Sequence, residues 1–283
     1  MTKVYSKLIK RSFDQRFFMA KLTRVPILGQ AMEFAFFEND DIIILPKDQV
    51  AFESLKKVKT IEMNVSVEPK NMVLPSQIVE HFILKSKYIF LMNKCMCRNS
   101  NECQHYPHEL GCIFLGRGVL KIPREMGRMA TSEEAIERLR KAREVGLVHL
   151  IGRDKIDAVW LGTGAKENLL SICNCCDCCC LWKMCPDLSG SINATITRMP
   201  GVSVAVKKDK CIGCSSCMKK QVCYVRAISI QDEKARIDDN LCKGCGRCVE
   251  FCPNKAIELS ISDTAFMKRT IERIDPLVNV TAE

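Results

Sequence analysis

Eight cysteines near the C-terminus fall into two runs, Cys211-x2-Cys214-x2-Cys217-x5-Cys223 and Cys242-x2-Cys245-x2-Cys248-x3-Cys252-Pro253. Three thiolates two residues apart wrap a tight loop around three corners of a cubane, and Gly213, Gly244 and Gly246 let the backbone curl. The fourth corner needs a distant cysteine, and where two clusters lie together it comes from the other run. The spacing therefore assigns Cys211, Cys214, Cys217 and Cys252 to one [4Fe–4S] cluster and Cys242, Cys245, Cys248 and Cys223 to a second. The runs interlock, so neither half folds alone. Paired zinc sites and disulfides compete for the same residues, but the doubled pattern is much rarer than the lone C-x2-C of zinc sites.

Each run is followed by a short β-type stretch, Ala227-Ile228-Ser229-Ile230 and Ala256-Ile257-Glu258-Leu259, an internal repeat of cluster loop, short helix and strand. Residues 206–262 thus resemble a bacterial-type ferredoxin domain. Tyr224 stands where that family usually has proline, and the gap before Cys223 is longer than the one before Cys252, so the first loop is a locally altered version.

At 283 residues the chain has room for at least one further domain. Its nineteen cysteines would form a disulfide scaffold in a secreted protein. Yet the N-terminal apolar clusters are broken by Lys10, Arg11, Asp14 and Arg16, which is no signal peptide, and even Tyr88–Met92 is flanked by Lys87 and Lys94. The chain reads as cytoplasmic, without a membrane span, with reduced thiols that bind metal or carry redox chemistry. The formal charge of +10 imitates a nucleic-acid footprint. Four cubanes with four thiolates each would cancel about eight of those positives, so no nucleic-acid partner is expected. Lys207, Lys208, Lys210, Lys219, Lys220, Lys243 and Arg247 crowd the ferredoxin loops, as charge balance, as a docking face for an acidic redox partner, or as plain solvated surface.

Upstream, Asp41–Leu45 before Pro46 reads as a buried strand, Pro75–Leu84 as a proline-started helix and Tyr88–Met92 as a strand leading to Cys95. His81 reads as an ordinary helix histidine, and Met19, Met32 and Met63 as core filling. Thr131-Ser132-Glu133-Glu134 opens a capped helix with Ile136, Leu139, Ala142 and Val145 on one face, supported by Glu134–Arg138 and Glu137–Lys141 pairs and closed by Gly146. Leu147–Ile151 follows as a strand. His149 within it reads as a core histidine, with a role in supporting a metal ligand or relaying a proton left open. Gly116-Arg117-Gly118 and Gly162-Thr163-Gly164 complete no nucleotide fingerprint.

Eleven more thiols lie between these elements. Cys95, Cys97, Cys103 and Cys112 can close on one metal centre, an iron–sulfur cluster or, with His105 and His108 in the same loop, zinc. Arg98 stands ready to stabilise an anionic cluster or a surface salt bridge. Cys173, Cys175, Cys176, Cys178, Cys179, Cys180 and Cys185 pack seven thiols into thirteen residues. Neighbouring side chains diverge, so this block offers thiolates to more than one neighbour. Eleven thiols fill two cubanes and leave three over, giving four clusters in total. Spare thiols beside an anionic cluster stay protonated unless a cation such as Arg98 or Lys183 lies close.

Cys95-x-Cys97-Arg98, Gly111-Cys112-Ile113-Phe114, Gly146-Leu147-Val148-His149 and Ile172-Cys173-Asn174-Cys175-Cys176-x-Cys178-Cys179-Cys180, followed by the ferredoxin module, resemble a group of 4Fe–4S binding, ferredoxin-like proteins of strict anaerobes. The resemblance spans residues 70–262 and implies anaerobic redox metabolism without fixing a substrate. The expected fold is α+β: an N-terminal α/β region over 1–94, a cysteine-rich iron–sulfur region over 95–205, a two-cluster ferredoxin domain over 206–262 and a tail over 263–283. The expected function is relay of low-potential electrons between a donor and a partner oxidoreductase. The alternative is a reductase with a site-differentiated cluster or cysteine pair at 173–185, acting on a disulfide, a sulfur compound or a corrinoid; a metal or cluster carrier is a third. Nothing in the sequence fixes an oligomeric state.

Overall fold

The apolar runs upstream of the ferredoxin motif separate into seven short strands: β1 (Asp41–Ile44), β2 (Ile89–Met92), β3 (Ile113–Leu115), β4 (Gly127–Met129), β5 (Val148–Arg153), β6 (Leu170–Cys175) and β7 (Ile196–Arg198). The structure, a computed structural model, describes residues 13–63, 72–219 and 222–282, with the side chains of 57–63 excepted. The strands form one sheet of order β4-β2-β3-β6-β5-β1-β7, antiparallel throughout except for the parallel β1–β7 pair. β1 and β2 come from before residue 94 and the other five from after it, so the sheet runs across that expected boundary.

Strand alternation sends successive side chains to opposite faces. Ile43, Leu91, Ile113 and Ile151 pack with the helices Asp48–Met63, Ser76–Lys85 and Ser132–Glu144. Ile42, Ile44, Val148 and Leu150 pack instead with Phe13, Trp182 and Tyr224. With helices on one face and the cysteine-rich loops on the other, the central strands are apolar on both sides, which is why they read as unbroken runs.

The ferredoxin-like part adds β8 (Val202–Val206), β9 (Ile228–Gln231), β10 (Lys234–Ile237) and β11 (Ile257–Ile261). β11 pairs antiparallel with β8, and β10 with β9. The unit is joined to the rest by hydrogen bonds, Ile261 N donating to Ser54 Oγ at 3.0 Å and Lys47 N to the Cys245 carbonyl at 3.2 Å. The two cluster loops turn through left-handed glycines, Gly213, Gly244 and Gly246, at φ of +68°, +66° and +79°. At Gly213 a Cβ would also lie 2.2 Å from the Glu233 carbonyl oxygen.

The sequence-expected elements at 41–45, 75–84, 88–92 and 147–151 lie where the spacing placed them, and Thr131 and Glu134 form the full capping box. Three details differ. Glu134 pairs with Arg128 at 2.7 Å rather than with Arg138, whose guanidinium donates to the Met92 carbonyl at 2.6 Å. The buried stripe of that helix is Ala135, Leu139 and Ala142, and Val145 at its C-cap is exposed. Met32 is core, whereas Met19 is 36% exposed, and the Met63 side chain lies outside the described residues.

The tightest point of the sheet is Gly152, paired with Ile42, where an added Cβ would lie 2.1 Å from the Asp41 carbonyl oxygen. Gly152→Ala should therefore cost about 1–3 kcal/mol by forcing β1 and β5 apart. Chemical denaturation of parent and variant measures this, and equal midpoints would contradict the Ile42–Gly152 register.

Candidate metal centres

All nineteen thiols are free. Where sulfurs touch they stand 3.3–3.5 Å apart, far beyond the roughly 2.05 Å of a disulfide. They gather into groups whose membership follows from strand and loop geometry.

In the ferredoxin part, burial raises Cys217 above the ordinary thiol range, and the neighbouring charges of Cys214, Cys252 and Cys211 add to it. Cys248 is likewise raised by burial and by Cys245, Cys242 and Cys223. Burial pushes Cys223 up to about 11, with Cys245 and Cys242 as its charged neighbours. Cys252 is thus a neighbour of the first run and Cys223 of the second. The repeat shows in the amide donors too: Ala227 N donates to Cys223 Sγ and Ala256 N to Cys252 Sγ, each at 3.2 Å and each four residues on. Cys214 is exposed, flanked by Ile212 at 70% and Met218 at 43% exposure, so the first group lies at the surface.

The upstream thiols divide by strand geometry rather than by sequence block. Cys173 and Cys175 leave β6 on one face and Asn174 on the other, where it pairs in register with His149. Cys112 Sγ lies 3.3 Å from Cys173 Sγ. Cys175 contacts Cys173 and Cys180, which hold it well below the ordinary thiol range. Cys95 contacts Cys97 and is lowered to about 7, first by that hydrogen bond and, against the opposing effect of burial, by the Arg98 charge. These six thiols line one cavity together with Cys176, Arg98, Asp154, Asp157 and Trp160.

Beyond the end of β6 the chain turns, and the remaining thiols form a second group. Cys103 Sγ stands 3.5 Å from Cys178 Sγ, Cys179 Sγ lies 3.4 Å from Cys178 Sγ, and all three sulfurs lie within 4.8 Å of one another. Cys176 completes the four: its sulfur accepts from Cys179 N at 3.2 Å and contacts Cys178. Burial raises Cys178 strongly and takes Cys179 to about 12. The expected set of Cys95, Cys97, Cys103 and Cys112 is therefore split, with Cys103 against the Cys178 side and the other three against β6. His108 uses its ring against the Cys103 carbonyl at 2.9 Å, and His105 is exposed. Cys185 stands by itself, pushed up to about 12 by burial although Lys243 is near.

Three arginines bind these groups together. Arg98, with no exposure, donates to the carbonyls of Asn174 at 2.8 Å and Leu110 at 2.5 Å, and its charge lies near Cys95, Cys112, Cys175 and Cys176. Arg247, set between Gly246 and Cys248, reaches the Cys175 carbonyl and stands 3.7 Å from Asp177. Arg16 stacks over Phe13 and Phe17 and has Cys97, Cys179 and Cys180 as charged neighbours. The Nε of each finds no partner among the described residues. Sulfur-rich groups of four or more with buried cations and unfilled N–H donors beside them fit anionic iron–sulfur clusters, and among the described residues no histidine joins the sulfurs as zinc chemistry often has it.

Of the basic residues crowding the ferredoxin loops, Lys243 and Arg247 are buried, and Lys243 donates to the carbonyls of Asn193 and Ile196. Lys207 and Lys210 are half exposed and face Glu258 at 3.7 and 3.5 Å; Lys220 lies outside the described residues. Sequence reasoning named Arg16 only as a charge that breaks the N-terminal apolar clusters, and did not name Asp154 and Asp157, which reach the cavity through the packing of the helix Lys155–Leu161. Among the described residues no helix is long and apolar enough to cross a membrane.

Residues 235–258 match the 4Fe-4S binding domain. Over 55 residues the chain is 47% identical to a subunit of the ion-translocating oxidoreductase complex of Methanosarcina acetivorans, a stretch covering 19% of this chain and 20% of that protein. Over 52 residues it is 46% identical to the pyruvate synthase subunit PorD of Methanothermobacter marburgensis, covering 18% of this chain and 58% of that one. A longer stretch of 104 residues is 33% identical to the dihydromethanopterin reductase (acceptor) of Methanosarcina mazei, covering 34% of this chain and 39% of that protein. The chain thus spans less than two thirds of each of these relatives. No solved structure matches it. The fold is a mixed α and β protein with a 4Fe–4S binding domain near its C-terminus.

His149 supplies a test of the packing around β6. Burial first, and the Arg143 charge second, lower it to about 4, so it is neutral and its Nδ1–H donates to Asn174 Oδ1 at 2.8 Å. An unfolded chain takes up this proton near pH 6.5, so folding stability should fall as pH drops from about 6.5 to about 4, by up to roughly 3 kcal/mol from this residue. His149→Gln should flatten that part of the stability profile. Parallel profiles for parent and variant would show that the imidazole is not held neutral.

Proposed function

We propose that the chain is an iron–sulfur electron-transfer protein of anaerobic metabolism, passing low-potential electrons between a donor and a partner oxidoreductase. The observation that carries this reading is the arrangement of the thiols as a succession of neighbouring groups. Cys214 opens one end to solvent, and Tyr224, buried with Cys245, Cys185, Cys180 and Cys175 as its charged neighbours, sits between the ferredoxin thiols and the β6 cavity. The relatives named above are subunits of oxidoreductases or a reductase, which supports a redox partner.

In this reading the ferredoxin domain, over 206–262, holds two [4Fe–4S] clusters with crossed ligation: Cys211, Cys214, Cys217 and Cys252 on one, Cys242, Cys245, Cys248 and Cys223 on the other. Two further centres lie upstream, one on Cys103, Cys176, Cys178 and Cys179, the other in the β6 cavity. The neighbour relations of Cys217 and Cys248 support the crossing. The clusters supply one-electron redox chemistry; the chain fixes their spacing, excludes water from the inner groups and balances their charge with Arg98 and Arg247. Exposed Ile212 and Met218 beside Cys214 give a partner an apolar landing area at the outer cluster.

An anaerobic redox titration of the parent and of Cys252→Ala tests this. The parent should show several reversible low-potential couples and reduce a partner oxidoreductase. The variant should lose the couple of the Cys211 group and keep that of the Cys242 group. Loss of the Cys242 couple instead would refute the crossing, and robust turnover of a small substrate by the isolated chain would replace the relay with an enzyme.

A further inference from the structure

The chain supplies its own reference for a cubane pocket. The two ferredoxin groups and the Cys103 group gather four thiols each, whereas the β6 cavity is lined by seven, six of them left once Cys176, which contacts Cys178, is counted with the Cys103 group. No four of the six stand apart from a remaining pair. Cys95 contacts Cys97, Cys112 contacts Cys173, Cys173 contacts Cys175 and Cys175 contacts Cys180. Cys97 closes the ring, with Cys112 and Cys175 as charged neighbours and itself a neighbour of Cys180. A cubane on any four would leave two further thiols against its ligands.

Buried cations also gather around this cavity, two of them shared with the neighbouring thiol groups. Arg16, Arg98 and Arg247 are 9%, 0% and 3% exposed, and each presents an unpartnered Nε–H. A resting cubane with four thiolates carries about two negative charges, fewer than these three guanidinium groups supply. The first ferredoxin group has no such set, since Lys207 and Lys210 are half exposed and turned to Glu258, whereas the second shares Arg247 and has the buried Lys243 beside Cys242.

Coordination arithmetic gives the content. Each cubane iron takes three cluster sulfides and one outer ligand, so two cubanes need eight outer ligands. Six thiolates fill three on each, and a single sulfide shared between the two remaining irons completes both. Such a centre carries about twice the negative charge of a single cubane, which suits three buried arginines. We propose that the β6 cavity holds an eight-iron centre, two cubane halves joined by one sulfide and ligated by Cys95, Cys97, Cys112, Cys173, Cys175 and Cys180. Cys185 is then the one thiol outside every centre. This rests on the reading of the upstream thiols as iron–sulfur ligands and changes what one of those centres contains.

Anaerobic native mass spectrometry of the full chain, reconstituted with iron and sulfide, weighs the inorganic content directly. Three cubanes and the proposed centre give about twenty irons, with one sulfide more than irons. Each single Cys→Ala variant at the six positions should lower the iron content. Sixteen or fewer irons, equal numbers of iron and sulfide, bound zinc, or two of the six variants with undiminished iron would each overturn the proposal. The mass of the parent decides even where a variant fails to fold. A fully loaded chain that reduces no partner would defeat the relay reading and leave the iron count standing.

Discussion

Each anionic sulfur drawn out of water makes the next one harder to bury, and nineteen thiols in one chain bring that constraint to every level of the fold. Burial raises thiols in all parts of the molecule, among them Cys178, Cys185, Cys223 and Cys248. The offsetting groups are few and specific. Arg98 is wholly enclosed, Arg247 nearly so, and backbone amides point at Cys223 and Cys252 in matching positions. Removing either arginine would strip buried carbonyls of their donors as well as the sulfurs of their counter-charge, which is the expensive way to break a buried ion contact.

The sheet turns this constraint into geometry. A strand delivers alternate residues to one face, so Cys173-Asn174-Cys175 gives two sulfurs to the cavity and one amide to His149. Asn174 then donates to the Gly111 carbonyl at 3.0 Å, which fixes the loop bearing Cys112. Arg247 carries the same logic between units, extending from a ferredoxin loop to the Cys175 carbonyl. The ferredoxin part is therefore held against the cysteine-rich part at the strand that carries Cys173 and Cys175.

What was legible in the sequence is what short-range chemistry determines. The left-handed glycines of the cluster loops, the Thr131 capping box and the strand at Asp41–Leu45 depend on neighbours within a few residues, and spacing locates them. The pairing of upstream thiols depends on which strand edge faces which loop, and no spacing rule reports that: Cys103 follows Cys97 by six positions yet faces Cys178. Charge patterns misled for the same reason. Lys243 and Arg247 look like members of a solvated basic run, but the fold buries both, and Glu134 finds Arg128 across a strand instead of Arg138 one turn along.

The proposed relay requires that electrons placed on the ferredoxin clusters feel the upstream centres, across the junction formed by Tyr224, Cys185 and Arg247. Electron paramagnetic resonance of the anaerobically reduced full chain tests this contact most directly. The relay predicts upstream signals broadened and split by the spins of the ferredoxin clusters, with the splitting lost when the Cys242 group is removed. Sharp, independent signals that are unchanged by that removal would contradict it.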